Sequence, residues 1–476
     1  MNRKISQRWC ALHASNKLLA AIAAALGIQG LAAAAVTSCA DDGGFDTLRH
    51  AVTVANDGDT IDLSALACSK ITLGSAISTG LYNLTLAGPG ASRLTIDGNQ
   101  ADRVLVHTPT GPGTLTISDL TIANGKFSAA KAYGGCIYSK GSVVLSNAVV
   151  TSCTVVGQTL AAGGGIVAVD ALKVYSSTIS GNVAEAQAGV SGMTSVIAGG
   201  AFVASTVSGG MYLYGSLISG NTAESAVGRA YGGGVGAYHL VAKYSTFTGN
   251  HAIAAGTGDD LGIGGGLDTT NDSELLNCTL DNNVADGGGG MNIQGVAGYT
   301  AAIIQTTISS NTANIGAGGI LVNGSLQLLN STIAFNVSNG PSQGGGLLIG
   351  TTMSATSTII ADNSPTDVDS GGPPVTIGGD HDLIKIAGPN VTVPSLTITL
   401  DPDLGPLAFN GGYVRTHALN AGSIAIDAGS NDGNLANDQR GPPYKRVAGS
   451  SADIGAYEFD ADHIFGNGFN FGSIYP

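Results

Sequence analysis

Gly163-Gly164-Gly165-Ile166 leads to Thr178-Ile179-Ser180-Gly181-Asn182, and the same phrase then returns. Gly232-Gly233-Gly234-Val235 leads to Thr246-Phe247-Thr248-Gly249-Asn250, and Gly264-Gly265-Gly266-Leu267 to Thr279-Leu280-Asp281-Asn282-Asn283. Gly344-Gly345-Gly346-Leu347 leads to Thr358-Ile359-Ile360. Between these markers apolar residues alternate, as in Leu172 and Val174 before Ile179, or Leu326 and Leu328 before Ile333. A period of two is that of strands with one face turned inward. The Ser, Thr, Val and Ile that fill them suit strands.

The asparagines that close each phrase, Asn182, Asn221, Asn250, Asn283, Asn311 and Asn336, recur at 39, 29, 33, 28 and 25 residues. Repeats of this length mark a solenoid. One period holds two or three short strands, so stacking the periods makes a parallel β-helix whose coils lie about 4.8 Å apart. The uneven spacing is absorbed by loops that leave the cylinder, with Ala184–Thr194 expected to be one. Gly clusters permit positive φ and close backbone approach at a corner. Asparagine tolerates the left-handed conformation, and stacked asparagines form a side-chain ladder. That structural role, rather than ligand binding, is expected for the six.

Composition agrees. Of 476 residues only 11% are charged, 5% are aromatic and 73 are glycine, against about 25% charged in ordinary domains. The core is expected to be a stack of small aliphatic side chains in one long domain. At the start, Arg3, Lys4, Arg8 and Lys17 precede an Ala-rich apolar run ending Ala33-Ala34-Ala35, which reads as a signal peptide over residues 1–35. Its removal would take the net charge from −14 to −18. That balance argues against nucleic acid and anionic membranes as partners. No later stretch is apolar enough to span a bilayer, and an extracellular or cell-surface setting is expected. Cys39 is paired with Cys68; Cys136 and Cys153 are placed to bridge within a coil or between neighbours. Cys278 is left over as a small core residue. Four cysteines alone allow three connectivities.

In order, residues 36–125 form the entry. Phe45–Asn56 is an amphipathic helix with Asp46 as its cap, expected to cover the first open coil. Residues 126–370 form the repeat array, 371–400 a last irregular coil, 401–459 a closing region and 460–476 a Gly- and aromatic-rich tail. TSCADDGGFDTLRHAV, NDGDTIDL and LTLAGPGASRLTIDGN resemble the opening of secreted bacterial right-handed β-helix proteins. LGPLAFNGGYVRTHAL, SIAIDAGS, DQRGPP and ADIGAYE resemble the choice-of-anchor Q region that closes many of them. The internal repeats are similar to those of polymorphic outer membrane proteins, but no run of strands suited to a translocating barrel follows. The resemblance implies an all-β, right-handed parallel β-helix of pectate-lyase-like architecture, export and a surface setting. It implies no defined activity.

Chemistry-bearing residues are sparse. Asp259, Asp260, Asp268, Asp272, Glu274, Asp281 and Asp286 form a run without Lys or Arg. The first four are the candidate calcium ligands, since oxygen donors in loops suit that ion, although no nonapeptide or EF-hand motif matches. Arg229, the one arginine of the array, is the candidate base of a lyase. Hydrolysis would need two facing carboxylates, and no such signature is present. Asp427, Asp438-Gln439-Arg440, Asp453 and Glu458 are expected to make turn and ion-pair bonds that close the C-terminal coils. Tyr133, Tyr138, Tyr175, Tyr212, Tyr214, Tyr231, Tyr238 and Tyr244 can stack on sugar rings if several share a face. The leading expectation is a non-catalytic, adhesin-like or glycan-binding surface protein with no required cofactor. A polysaccharide lyase or hydrolase and a structural spacer are the alternatives. A groove lined by Arg229 and carboxylates would favour the enzyme.

Overall fold

The computed structural model describes residues 35–187, 194–205, 209–255, 260–296, 298–340 and 344–461. Residues 1–34 of the expected signal peptide, the tail beyond residue 461 and Asp259 lie outside them. Short strands wind into a parallel β-solenoid. Among the described residues sheet A has 13 strands, from Thr60–Asp62 to Val391–Thr392; sheet B has 12, from Lys70–Thr72 to Leu383–Ile384; sheet C has 11, from Ile77–Thr79 to Thr366–Ser370. The chain visits A, B and C in turn. Inward-facing Val150, Ile179, Ile218, Phe247, Leu280 and Ile308 stack in register on sheet B, and one aliphatic core runs from Val36 to Ile384.

From Lys126 to Ser338 each coil also feeds sheet D, of 11 strands among the described residues, between B and C. Here the expected loop Ala184–Thr194 is corrected at its two ends, while its residues 188–193 lie outside the described ones. Val183–Ala186 runs outward and Thr194–Ile197 returns, both as strands. Thr222–Ser225 with Gly228–Tyr231 and His251–Ala254 with Gly262–Ile263 do the same. Ala132, Ala161, Ala184, Ala186, Ala223 and Ala230, with Val155 and Val196, form a second small core between the layers. Alanine lets the two layers approach closely.

Two side-chain ladders hold the corners. The Asn182 side-chain amide donates to Asn221 Oδ1 at 2.9 Å, and the pattern repeats through Asn250, Asn283, Asn311, Asn336 and Asn363. Each Oδ1 also accepts the backbone N–H of the asparagine before it. The Gly clusters face this ladder: a Cβ on Gly200 would lie 3.0 Å from Asn221 Cγ. At the A-to-B corner, Ser177, Ser216, Ser245, Cys278, Thr306, Ser331 and Thr358 stack as a second series. Most of these side-chain oxygens accept the N–H of the coil before, as Ser216 Oγ does from Ser177. Both ladders end on a carboxylate. Asp367 Oδ1 accepts from Asn363, and Asp382 Oδ1 from the N–H of Thr358. At the other end, the Cys153 N–H donates to Asn182 Oδ1 while its sulfur is bonded to Cys136. Cys39 is bonded to Cys68.

The entry helix, α1, spans Leu48–Val54, shorter than expected, and its N-cap is Thr47 rather than Asp46. The Asp46 carbonyl is instead taken by the N–H groups of Thr37 and Ser38. Leu48, Ala51 and Val52 are buried on the first coils.

Residues 401–461 differ most from expectation. They lie along the flank of the solenoid as a strap over the outer face of sheet B, rather than only closing its end. In Thr178–Ser180 and Thr246–Thr248 only the central residue is buried, whereas all three are buried in Thr279–Asp281, Thr307–Ser309, Thr332–Ala334 and Ile359–Ala361. Gln439 stitches two coils: its amide donates to the Cys278 carbonyl at 2.7 Å and its Oε1 accepts from Thr307 at 2.6 Å. Arg415 Nη2 lies 2.5 Å from Asp281 Oδ2. Ala456 N–H donates to Thr332 Oγ1 at 3.0 Å. Within the strap, Arg440 pairs with Asp438 between the rings of Tyr444 and Tyr457, and buried Arg446 pairs with Glu458.

Candidate functional site

The outer face of sheet A gathers what the strap leaves open. Its register sets two columns of outward side chains along the axis. Lys173, Tyr212, Val241, Glu274, Ala302, Gln327 and Ser354 form one, and Tyr175, Tyr214, Lys243, Leu276, Ile304, Leu329 and Thr356 the other. Tyr175 and Tyr214 are direct partners in neighbouring strands, about 4.8 Å apart, and are 40% and 50% exposed. The Tyr214 ring meets that of Tyr244 edge-on at 5.7 Å, and Tyr244 meets Tyr413 of the strap in the same way at 5.7 Å. Tyr413 is 72% exposed. The strap therefore extends the aromatic surface of sheet A across the corner.

Burial raises the Tyr175 hydroxyl above its ordinary range, with Tyr212 adding to the effect. Burial does the same to Tyr244, helped by Tyr214 and Tyr413. These phenols stay neutral and can both donate and accept hydrogen bonds.

Two concavities lie on the margin where the chain enters sheet A. One, of about 310 Å³, is lined by Gly209, Met211, Tyr212, His239, Leu240, Val241 and Asp272. The other, of about 380 Å³, is lined by Thr300, Ser325, Leu326, Gln327, Thr352, Met353 and Ser354. Together they touch six successive coils, from Met211–Tyr214 to Met353–Thr356. Five coil spacings give about 24 Å. The polar groups are fixed by neighbours. Asn271 Nδ2 lies 3.3 Å from His239 Nε2, and the His239 ring packs on Tyr299 at 6.1 Å. Asp272 Oδ1 accepts the Thr300 N–H at 2.9 Å, and Lys243 Nζ pairs with Glu274 Oε1 at 3.0 Å. The surface can stack flat apolar faces and hydrogen-bond hydroxyls along an axial line.

Of the eight tyrosines singled out by sequence, four reach this surface: Tyr175, Tyr212, Tyr214 and Tyr244. Tyr138 is on sheet C, where the Arg103 guanidinium lies 5.3 Å from its ring, and Tyr133 ends a strand of sheet D. Tyr231 is on sheet D beside Arg229, whose Nη1 is 3.4 Å from the Tyr231 hydroxyl. Tyr238 follows a strand of sheet C. Arg229 thus belongs to sheet D and not to the aromatic face.

The acidic run is distributed around the cylinder, because one repeat carries the chain past every face. Asp260 precedes the sheet D strand Gly262–Ile263, Asp268 is on sheet C, Asp272 is at the C-to-A corner and Asp281 is on sheet B under Arg415. Among the described residues no three His, Cys, Asp or Glu side chains come together as a metal site. Asp268 is buried, and that burial raises its carboxyl to about 6 against the amides of Asn292 and Gln294, which donate to it at 2.6 and 2.8 Å. Sequence reading missed the strap's contribution, Tyr413 above all, because its partner Tyr244 is remote in the chain.

No protein-family model matches the chain, and no curated protein matches it. Among solved structures the chain is similar to the crystal structure of the pectate lyase Pel9A, with a TM-score of 0.43 and 13% identity over 90% of this chain and 97% of that one.

Proposed function

We propose that this protein is a secreted or cell-surface solenoid that binds glycan along the outer face of sheet A without cleaving it. The observation that carries the reading is the in-register pair Tyr175 and Tyr214, continued through Tyr244 to Tyr413 along the exit margin of sheet A, with Tyr212 lining the first of two concavities on the entry margin of the same face. Aromatic faces with a few convergent polar groups suit sugar rings, which present apolar faces and hydroxyl edges. The carboxylates in that region are already engaged, Glu274 by Lys243 and Asp272 by the Thr300 N–H. Two disulfides fit an oxidising compartment, and among the described residues no helix is long and apolar enough to cross a membrane.

The test is co-sedimentation of the full chain with insoluble polysaccharides, with analysis of the supernatant for released sugars. Retention without release supports the reading. Release of oligosaccharides would make it an enzyme, and no retention on any polymer would favour an adhesin for protein or a spacer.

A further inference from the structure

We infer that the ligand of the sheet A face is a neutral polysaccharide laid along the solenoid axis, not a polyuronate. This rests on the glycan-binding reading above and narrows it by charge. On the two columns and the first concavity the cations are Lys173 and Lys243, and the anions are Asp272 and Glu274. Glu274 already holds Lys243 at 3.0 Å. Asp170, in the coil of Lys173, accepts from Ser142 Oγ at 2.8 Å and adds another negative charge to that margin.

Among the described residues the second concavity is lined by no charged side chain. It offers Thr300, Ser325, Gln327, Thr352 and Ser354, and the Ser325 and Thr352 hydroxyls are already in mutual contact at 3.1 Å. A polyuronate would bring a carboxylate with every sugar past six coils and find no cation to match most of them, while Asp272 and Glu274 would repel it. The chain's net charge of −14 adds a long-range field of the same sign. Neutral sugars face none of these costs. Their hydroxyls meet amide and hydroxyl partners, and their ring faces meet Tyr175, Tyr212 and Tyr214. The axial spread of the two concavities over about 24 Å fits a polymer segment better than a single terminal sugar.

The experiment is affinity electrophoresis of the full chain in native gels containing soluble β-glucan, xylan or mannan, beside gels containing polygalacturonate or alginate, at low and high salt. Retardation by a neutral polymer, insensitive to salt, is the expected result. Tyr214→Ala should weaken it roughly tenfold, while Tyr214→Phe, which keeps the ring and the fold, should retain most of it. Retardation by a polyuronate that salt abolishes would overturn the inference and leave the glycan reading standing. No retardation in any gel would overturn both. Neutral retardation unchanged in both Tyr214→Ala and Gln327→Ala would remove the binding from this face.

Discussion

Asn182 and Asn221 stand 39 residues apart in sequence, yet the side-chain amide of the first donates to the side-chain oxygen of the second at 2.9 Å. The same oxygen accepts the Asn182 backbone N–H at 3.0 Å. Each rung thus satisfies one backbone donor and one side-chain donor of its neighbour, in a corner with no exposed surface. A buried polar series of this kind is stabilising only while every member has its partners.

Asn250→Ala removes the acceptor for Asn221 and the donor to Asn283 and to the Ile218 carbonyl. Leaving these groups unmatched should cost about 3 kcal/mol, read as a lowered denaturation midpoint. Asn250→Asp keeps the acceptor but turns an oxygen toward Asn283 Oδ1, so it should lose more stability at neutral pH than in acid.

Arg415→Ala should loosen the strap. Asp281 is fully buried beneath Arg415, and its carboxyl is raised by burial, which the guanidinium only partly offsets. Without that cation only the neutral donors Thr248 and Asn282 face the buried carboxylate, at a cost of about 3 kcal/mol. The double variant with Asp281→Asn should recover part of that loss. Limited proteolysis within residues 401–461 measures the loosening.

Burial raises the carboxyl of Asp268 to about 6 and that of Asp382 to about 7 from an ordinary 3.8. The folded state therefore binds more protons than the unfolded chain between those values, and these two groups make stability fall as pH rises from about 4 to about 7. Buried His107 and His417 are both lowered by burial, so they act oppositely and cost stability as pH falls through their unfolded value. Asp268→Asn should flatten the fall from pH 4 to 6. It should add on the order of 2 kcal/mol at pH 7.5, since Asn292 Oδ1 is otherwise without a partner and can turn to receive the new amide. Denaturation curves across that range give the slope.

Cys278 occupies a rung held elsewhere by serine or threonine, with its thiol pushed up to about 12 by burial. Alkylation mapped by mass spectrometry should leave it unmodified in the folded protein and label it after denaturation. Cys278→Ser should fold with near-unchanged stability, because serine already fills the same rung at Ser216 and Ser245.

The repeat made the solenoid legible, since alternating apolar residues and a recurring Gly-to-Asn phrase admit few other folds. The asparagine column was legible for the same reason, and the hydroxyl column was present in the same phrase, in the Ser-Thr-Ile of Ser177-Thr178-Ile179. Where an outward side chain lands depends on coil register. A cluster in sequence such as Asp260, Asp268 and Asp272 is therefore scattered in space, while Tyr175 and Tyr214 converge. The strap was least legible: Gln439 meets Cys278 across 161 residues, and nothing local in Asp438-Gln439-Arg440 names that partner.

The most direct measurement is hydroxyl-radical footprinting of the full chain with and without a soluble neutral polysaccharide that retards it in native gels. Protection should appear at Tyr175, Tyr214 and Tyr413, with none at exposed Phe45 on the far entry coil. Protection at Tyr133 and Tyr138 instead, or equal oxidation throughout, would contradict binding on the sheet A face.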